Sequence, residues 1–215
     1  LHAAGVPAIA AVASPLPATI PSTLVALSAY RRQDLVDREV VAWSVVCGIP
    51  ATVAGAVLTR WVGGPFLVRL TDVVIAALGV RFLLAPKTVE VVRRPRFYGA
   101  RLVAVSVVTG LAAGLLANSG GFLLAPLYLA VLRRPIKVAF ACSLAVAAVL
   151  AVPGTIVHWA LGHIDWTLVA VFGATSIPLS YMGARLAVRS NPARLERIYG
   201  AVLALLGVGF LVFAR

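Results

Sequence analysis

Apolar runs of about twenty residues alternate along the whole chain with short, mostly basic connections. The runs cover roughly 7–29, 39–60, 68–86, 99–117, 136–157, 166–187 and 197–214, with a shorter piece at 122–132. A helix needs about 20 apolar residues to cross the ~30 Å hydrocarbon core of a bilayer. The pattern therefore predicts an all-α integral membrane protein. The longest polar connection, "KTVEVVRRPRFYGAR" at 87–101, divides it into a first unit at 1–86 and a second at 102–215.

The two units are copies. Shifted by 128 residues, "IPATVAGAVL" (49–58) falls on "IPLSYMGARL" (177–186) with five identities in ten. "VIAALGVRFL" (74–83) falls on "VLALLGVGFL" (202–211) with seven in ten. Chance in so Ala-, Val- and Leu-rich a chain gives roughly one match per ten. The same shift sets Asp37 on Asp165, Arg69 on Arg197 and Pro7 on Pro135.

Charge orients the copies. Cytoplasmic loops of membrane proteins carry the excess of Lys and Arg, and 15 of the 19 basic residues fall in 31–38, 87–101, 133–137 and 185–197. Arg81 lies near the inner end of its run. The loop with Arg31, Arg32 and Arg38 has as its counterpart "HWALGHIDW", which has no Lys or Arg. Equivalent loops thus lie on opposite sides, and the repeats are inverted. This topology sets 101 and 133 on one side, so the chain between them must enter the membrane and return. The expected turn is "ANSGGFLLAP" (117–126), where Asn118, Ser119, Gly120 and Gly121 interrupt an apolar run ahead of Pro126. The first repeat's equivalent of 103–128 would fall upstream of Leu1.

Composition agrees: 61% hydrophobic, 12% charged, mean hydropathy +1.01, against about half and a quarter in soluble domains. The net charge of +12 sits in loop clusters and forms no basic face with interleaved aromatics, which argues against nucleic acid. Cys47 and Cys142 lie inside apolar runs without metal-ligand spacing and read as small buried hydrophobes. Residues 1–30 have no Lys or Arg and so no signal-peptide n-region. With Met182 the only Met, the sequence reads as starting within a longer frame or at an edited start.

Three constellations could carry chemistry. Irregular backbone inside a membrane is tolerated where it is buried in protein or lines a wet cavity, and broken helices meet at the substrate site of inverted-repeat transporters. A helix N-terminus there suits an anion. Asn118, Ser119, Gly120 and Gly121 fit as donors; a glycine-packed kink is the plain alternative. Second, I-P-x-[S/T]-x-x-G occurs twice, with Pro50 and Thr52, then Pro178 and Ser180. These prolines free carbonyls and shape the helices, whether or not the hydroxyls meet a ligand. Third, "ASPLPATIPST" carries Ser14, Thr19 and Ser22 among three prolines, a bent span or a partly unwound one lining the pathway. Its partner "ACSLAVAAVL" adds Ser143.

His158, His163 and Asp165 fall in an outer loop, with no further ligand to complete a metal site; Asp165 reads as a helix cap, echoed by Asp37. Asp72 pairs with Arg69, three residues away. No acid sits at a span centre, which leaves a carboxylate proton relay without support.

"NSGGFLLAP", "FACSLAV", "HWALGHIDW" and "GARLAVRS" together resemble the sulfite exporter TauE/SafE family of membrane permeases. The break reads Ser-Gly-Gly where the family pattern has three glycines. The resemblance implies a secondary transporter of small sulfur-containing anions, such as sulfite or organosulfonates. Its contacts would be Asn118, Ser119, Gly120, Gly121 and Ser143, with Ser14, Thr19 and Ser22 from the first repeat. The Ala, Val and Arg content suggests a GC-rich bacterial gene, hence an inner-membrane permease. No cofactor and no metal are expected. The partners are the anion and the bilayer, with homodimerisation left open. Rival readings are uptake of another organic anion, a structural or assembly subunit, and a membrane enzyme. The last needs converging acid, base or nucleophile groups that the sequence lacks.

Overall fold

The computed structural model describes residues 13–58, 73, 77–82, 96–115 and 121–213. Among them are α1 (Pro15–Arg31), α2 (Arg38–Leu58), α3 (Tyr98–Leu115), α4 (Gly121–Ala130), α5 (Ile136–Ala160), α6 (Trp166–Arg189) and α7 (Pro192–Phe213), and no strand. Four of these, α2, α3, α5 and α6, are long and apolar enough to cross a membrane. The fold is an all-helical membrane bundle.

Helix ends follow local chemistry. Asp37 Oδ1 accepts from the backbone N–H groups of Glu39 and Val40 at 3.1 and 3.2 Å, starting α2. Asp165 Oδ1 does the same for Thr167 and Leu168 at 2.8 and 3.3 Å, starting α6. Both expected caps are present. Asn191 Oδ1 accepts from Ala193 N–H at 2.9 Å. That cap, with Pro192 next to it, starts α7 five residues ahead of its apolar run and draws Arg194 and Arg197 into the helix.

Two expectations need correction. The Pro-rich segment is regular helix from Pro15 onward. Pro15 and Pro17 fall in the first turn, where N–H groups lack helical acceptors anyway; only Pro21 lies deeper. The irregularity is one residue upstream, where Ser14 is a turn. His158 does not belong to an outer loop: it is the third residue from the end of α5 and is buried.

The helices exchange partners between repeats. α1 packs on α6, α5 packs on α2, and α1 and α5 pack on each other. Individual contacts obey the 128-residue shift with the partners swapped. Asp37 N–H donates to Cys142 Sγ at 3.3 Å; its image is Asp165 N–H donating to Ser14 Oγ at 2.9 Å. Gly48 lies against Leu150; its image is the 2.8 Å bond between Ser176 and Ser22 hydroxyls. The end of α1 packs with the end of α6 through Tyr30 and Val188, and Lys137, beginning α5, donates to Val188 C=O at 2.7 Å. Equivalent helices α1 and α5 therefore run in opposite directions, as inverted repeats require.

A second tight contact joins α2 to α3. A Cβ on Gly114 would stand 2.1 Å from Thr52 O, one on Gly110 2.6 Å from Gly48 O, and one on Gly55 2.4 Å from Leu111 O. Small residues let membrane helices approach at backbone distance. Between these helices and α4, Ser44 Oγ accepts from Tyr128 OH at 2.7 Å and from Ser106 Oγ at 3.1 Å, all three residues buried.

Candidate anion site at a half-membrane helix

The basic loops meet at one end of the bundle. Arg134, in the α4–α5 turn, pairs with Asp37 before α2. It also donates to the Tyr98 hydroxyl at the start of α3, at 3.1 Å from Nε and 2.7 Å from Nη2. With Lys137 on Val188, this ties together the chain around 37, 98, 134 and 188. The charge pattern assigned those segments to the cytoplasmic side, and they are neighbours in space.

That end fixes the depth of α4. Its ten residues at 1.5 Å each reach about 15 Å, half of a ~30 Å hydrocarbon core. α3, starting at the same end with 18 residues, reaches about 27 Å. The first turn of α4, at Gly121, thus lies about 15 Å of helix away from the basic end of the bundle. The first four N–H groups of a helix have no acceptor within it, and the macrodipole adds about half a positive charge there. "ANSG", the residues before this turn, includes Asn118, Ser119 and Gly120, which lie outside the described residues, as do Arg69 and Asp72. Pro126 lies within α4 and is buried.

The other expected hydroxyls are engaged in different ways. Thr19 Oγ1 donates to Pro15 C=O at 3.0 Å, Ser22 Oγ to Ala18 C=O at 2.7 Å and Ser143 Oγ to Phe140 C=O at 3.0 Å. A hydroxyl has one proton, so these three face any anion with lone pairs unless they let go of a carbonyl. Ser14 is different: it accepts from Asp165 N–H, and its own proton has no acceptor among the described residues. Thr52 is buried and donates to Gly48 C=O at 2.8 Å. Pro50 and Pro178 are both exposed, their rings on the outer surface of the bundle, and Ser180 is half-buried.

"HWALGHIDW" has a mechanical reading. Gly162 adopts φ +70 where α5 ends, a conformation that L side chains disfavour, and Asp165 then caps α6. His158 and His163 meet at 3.2 Å between Nδ1 atoms. Arg134, Tyr98, Ser44 and Tyr128 were not among the expected functional residues. Their partners lie 36 to 97 positions away, and no local motif marks them.

The family model for the sulfite exporter TauE/SafE family matches residues 1–210. The chain belongs to that family. No curated protein and no solved structure matches it. TauE/SafE proteins are exporter- or permease-type transporters.

Proposed function

We propose that this chain is a secondary transporter, not an enzyme, that exports small sulfur-containing anions such as sulfite or organosulfonates across a bacterial inner membrane. The observation that carries the reading is the depth of the α4 N-terminus. An anion at mid-bilayer needs donors that bring no countercharge requiring burial, and free backbone N–H groups supply them. Asn118, Ser119, Gly120 and Gly121 furnish those donors, and Ser143 on α5 joins them by turning its proton from Phe140 C=O to the anion. Ser14 contributes its hydroxyl from the first repeat, and Thr19 and Ser22 chiefly hold α1 in place. Pro50 and Pro178 leave outward carbonyls in helices that move against the lipid.

No carboxylate relay is required for this task. An inside-negative potential drives a monoanion outward by about 2.3 kcal/mol per 100 mV. The test is flux from proteoliposomes loaded with labelled sulfite or sulfoacetate, with sulfate and a cationic solute as controls, under clamped potentials. Saturable, voltage-accelerated exit of the sulfur anions is expected. Flux indifferent to voltage would refute potential-driven export, and no flux of any anion would refute the transporter reading.

A further inference from the structure

A second place where an anion fits lies far from the half-membrane helix, at the basic end of the bundle. The last turns of α1 and α6 frame a pocket of 170 Å³. α1 and the turn after it contribute Ser28, Arg32 and Gln33, and α6 contributes Tyr181, Arg185 and Arg189. On α6 these lie at i, i+4 and i+8, one stripe of a helix. No acidic residue lines the pocket. None of its three arginines pairs with a carboxylate among the described residues, where Asp37 is taken by Arg134.

Three guanidinium groups facing one small space repel each other unless an anion joins them. All three are exposed, on or beside helices whose spacing is fixed. Ala26, Tyr30, Ala184 and Val188 pack α1 to α6 immediately beside the pocket, and the Arg185 guanidinium lies over the Tyr181 ring at 5.3 Å. The lining is thus an arginine-rich recess with hydroxyl and amide donors, at the end of the bundle where the basic turns gather. Arginine forks match phosphate and other oxyanions in bidentate fashion.

We propose that this pocket binds a tetrahedral or pyramidal oxyanion through Arg32, Arg185 and Arg189, separately from the transport pathway. Two sources share that chemistry: the phosphate of an anionic phospholipid in the inner leaflet, and a free oxyanion in the cytoplasm. The site does not depend on the transport reading, because it involves none of the residues at the α4 N-terminus.

Binding of fluorescent phosphatidylglycerol to the purified protein in detergent tests this, with phosphatidylcholine as the neutral lipid and inorganic phosphate and sulfite as competitors. The triple variant Arg32→Gln/Arg185→Gln/Arg189→Gln is expected to bind at least tenfold more weakly. Arg194→Gln, a basic residue of α7 outside the pocket, should leave binding unchanged. Arg185→Lys keeps the charge but loses the fork, and should fall between the two. Saturable phosphatidylglycerol binding that millimolar phosphate or sulfite does not displace assigns the site to lipid. Displacement by either, with the free anion protecting the protein against thermal unfolding only when the arginines are present, assigns it to a free oxyanion. Equal losses in the triple variant and Arg194→Gln, or no loss in the triple variant, would overturn the proposal.

Discussion

Replacing Gly114 with Ala tests the packing that holds α3, and with it α4, against the rest of the bundle. The new Cβ would stand 2.1 Å from Thr52 O, 2.5 Å from Ala56 N and 2.9 Å from Gly55 C. All three are backbone atoms, so no rotamer change relieves the clash. Restoring an ordinary contact of about 3.4 Å to the oxygen requires α2 and α3 to separate by roughly 1 Å. The Ser106–Ser44 bond, 3.1 Å long, would then exceed hydrogen-bonding reach. Overpacking of this kind costs about 1–3 kcal/mol and the lost buried bond about another 1 kcal/mol. Better helix propensity returns close to 1 kcal/mol. The expected net loss is about 1–3 kcal/mol, read as a lowered unfolding midpoint in detergent. Gly183 is the internal control: it is the repeat image of Gly55, yet a Cβ there meets nothing within 4 Å. Gly183→Ala should be neutral or slightly stabilising. Wild-type stability in Gly114→Ala, or equal damage from Gly183→Ala, would refute the close-packed interface.

Three further outcomes follow from named contacts. Removing one member of the partly buried Asp37–Arg134 pair, as in Arg134→Met, should cost about 2–3 kcal/mol, since it strands a largely covered carboxylate. Asp165→Ala removes only a helix cap and should cost about 1 kcal/mol; a larger loss than for Arg134→Met in the same unfolding assay would contradict these assignments. Ser22→Ala and Ser176→Ala, combined in a double-mutant cycle, should show a coupling of about 0.6 kcal/mol, and strict additivity would mean that the 2.8 Å contact contributes nothing.

Much of the fold was legible because membrane helices carry few signals and each is strong. The spans at 39–60, 99–117, 136–157 and 166–187 lie within two or three residues of α2, α3, α5 and α6. Apolar length sets them, and Asp37, Asp165 and the basic turns set their ends. The 128-residue shift also relates contacts it did not foretell: Asp37–Cys142 and Asp165–Ser14 are images of each other. The Pro-rich segment misled because counting prolines ignores position: Pro15 and Pro17 are harmless in a first turn. His158 misled because the helix outlasts the apolar run by three residues. The polar fastenings were not legible at all. Arg134 reads as one more loop arginine until the fold brings Asp37 and Tyr98 beside it. Ser44 has no mark that separates it from any other serine in an apolar helix. Of the expected anion contacts, Gly121 falls at the start of α4 and Ser14 has no acceptor for its proton among the described residues, while Thr19, Ser22 and Ser143 bond to carbonyls of their own helices.

The most direct measurement of the central claim compares sulfite flux through wild-type and Gly120→Leu protein in proteoliposomes, alongside Ser22→Ala and the unfolding midpoint of each. Gly120 is the residue before α4 in the chain, and in the proposed site its replacement by leucine adds bulk where the anion is held. The account predicts saturable sulfite flux that is abolished in Gly120→Leu, retained in Ser22→Ala, and lost without a fall in stability. Full flux through Gly120→Leu would show that the anion does not pass the half-membrane helix.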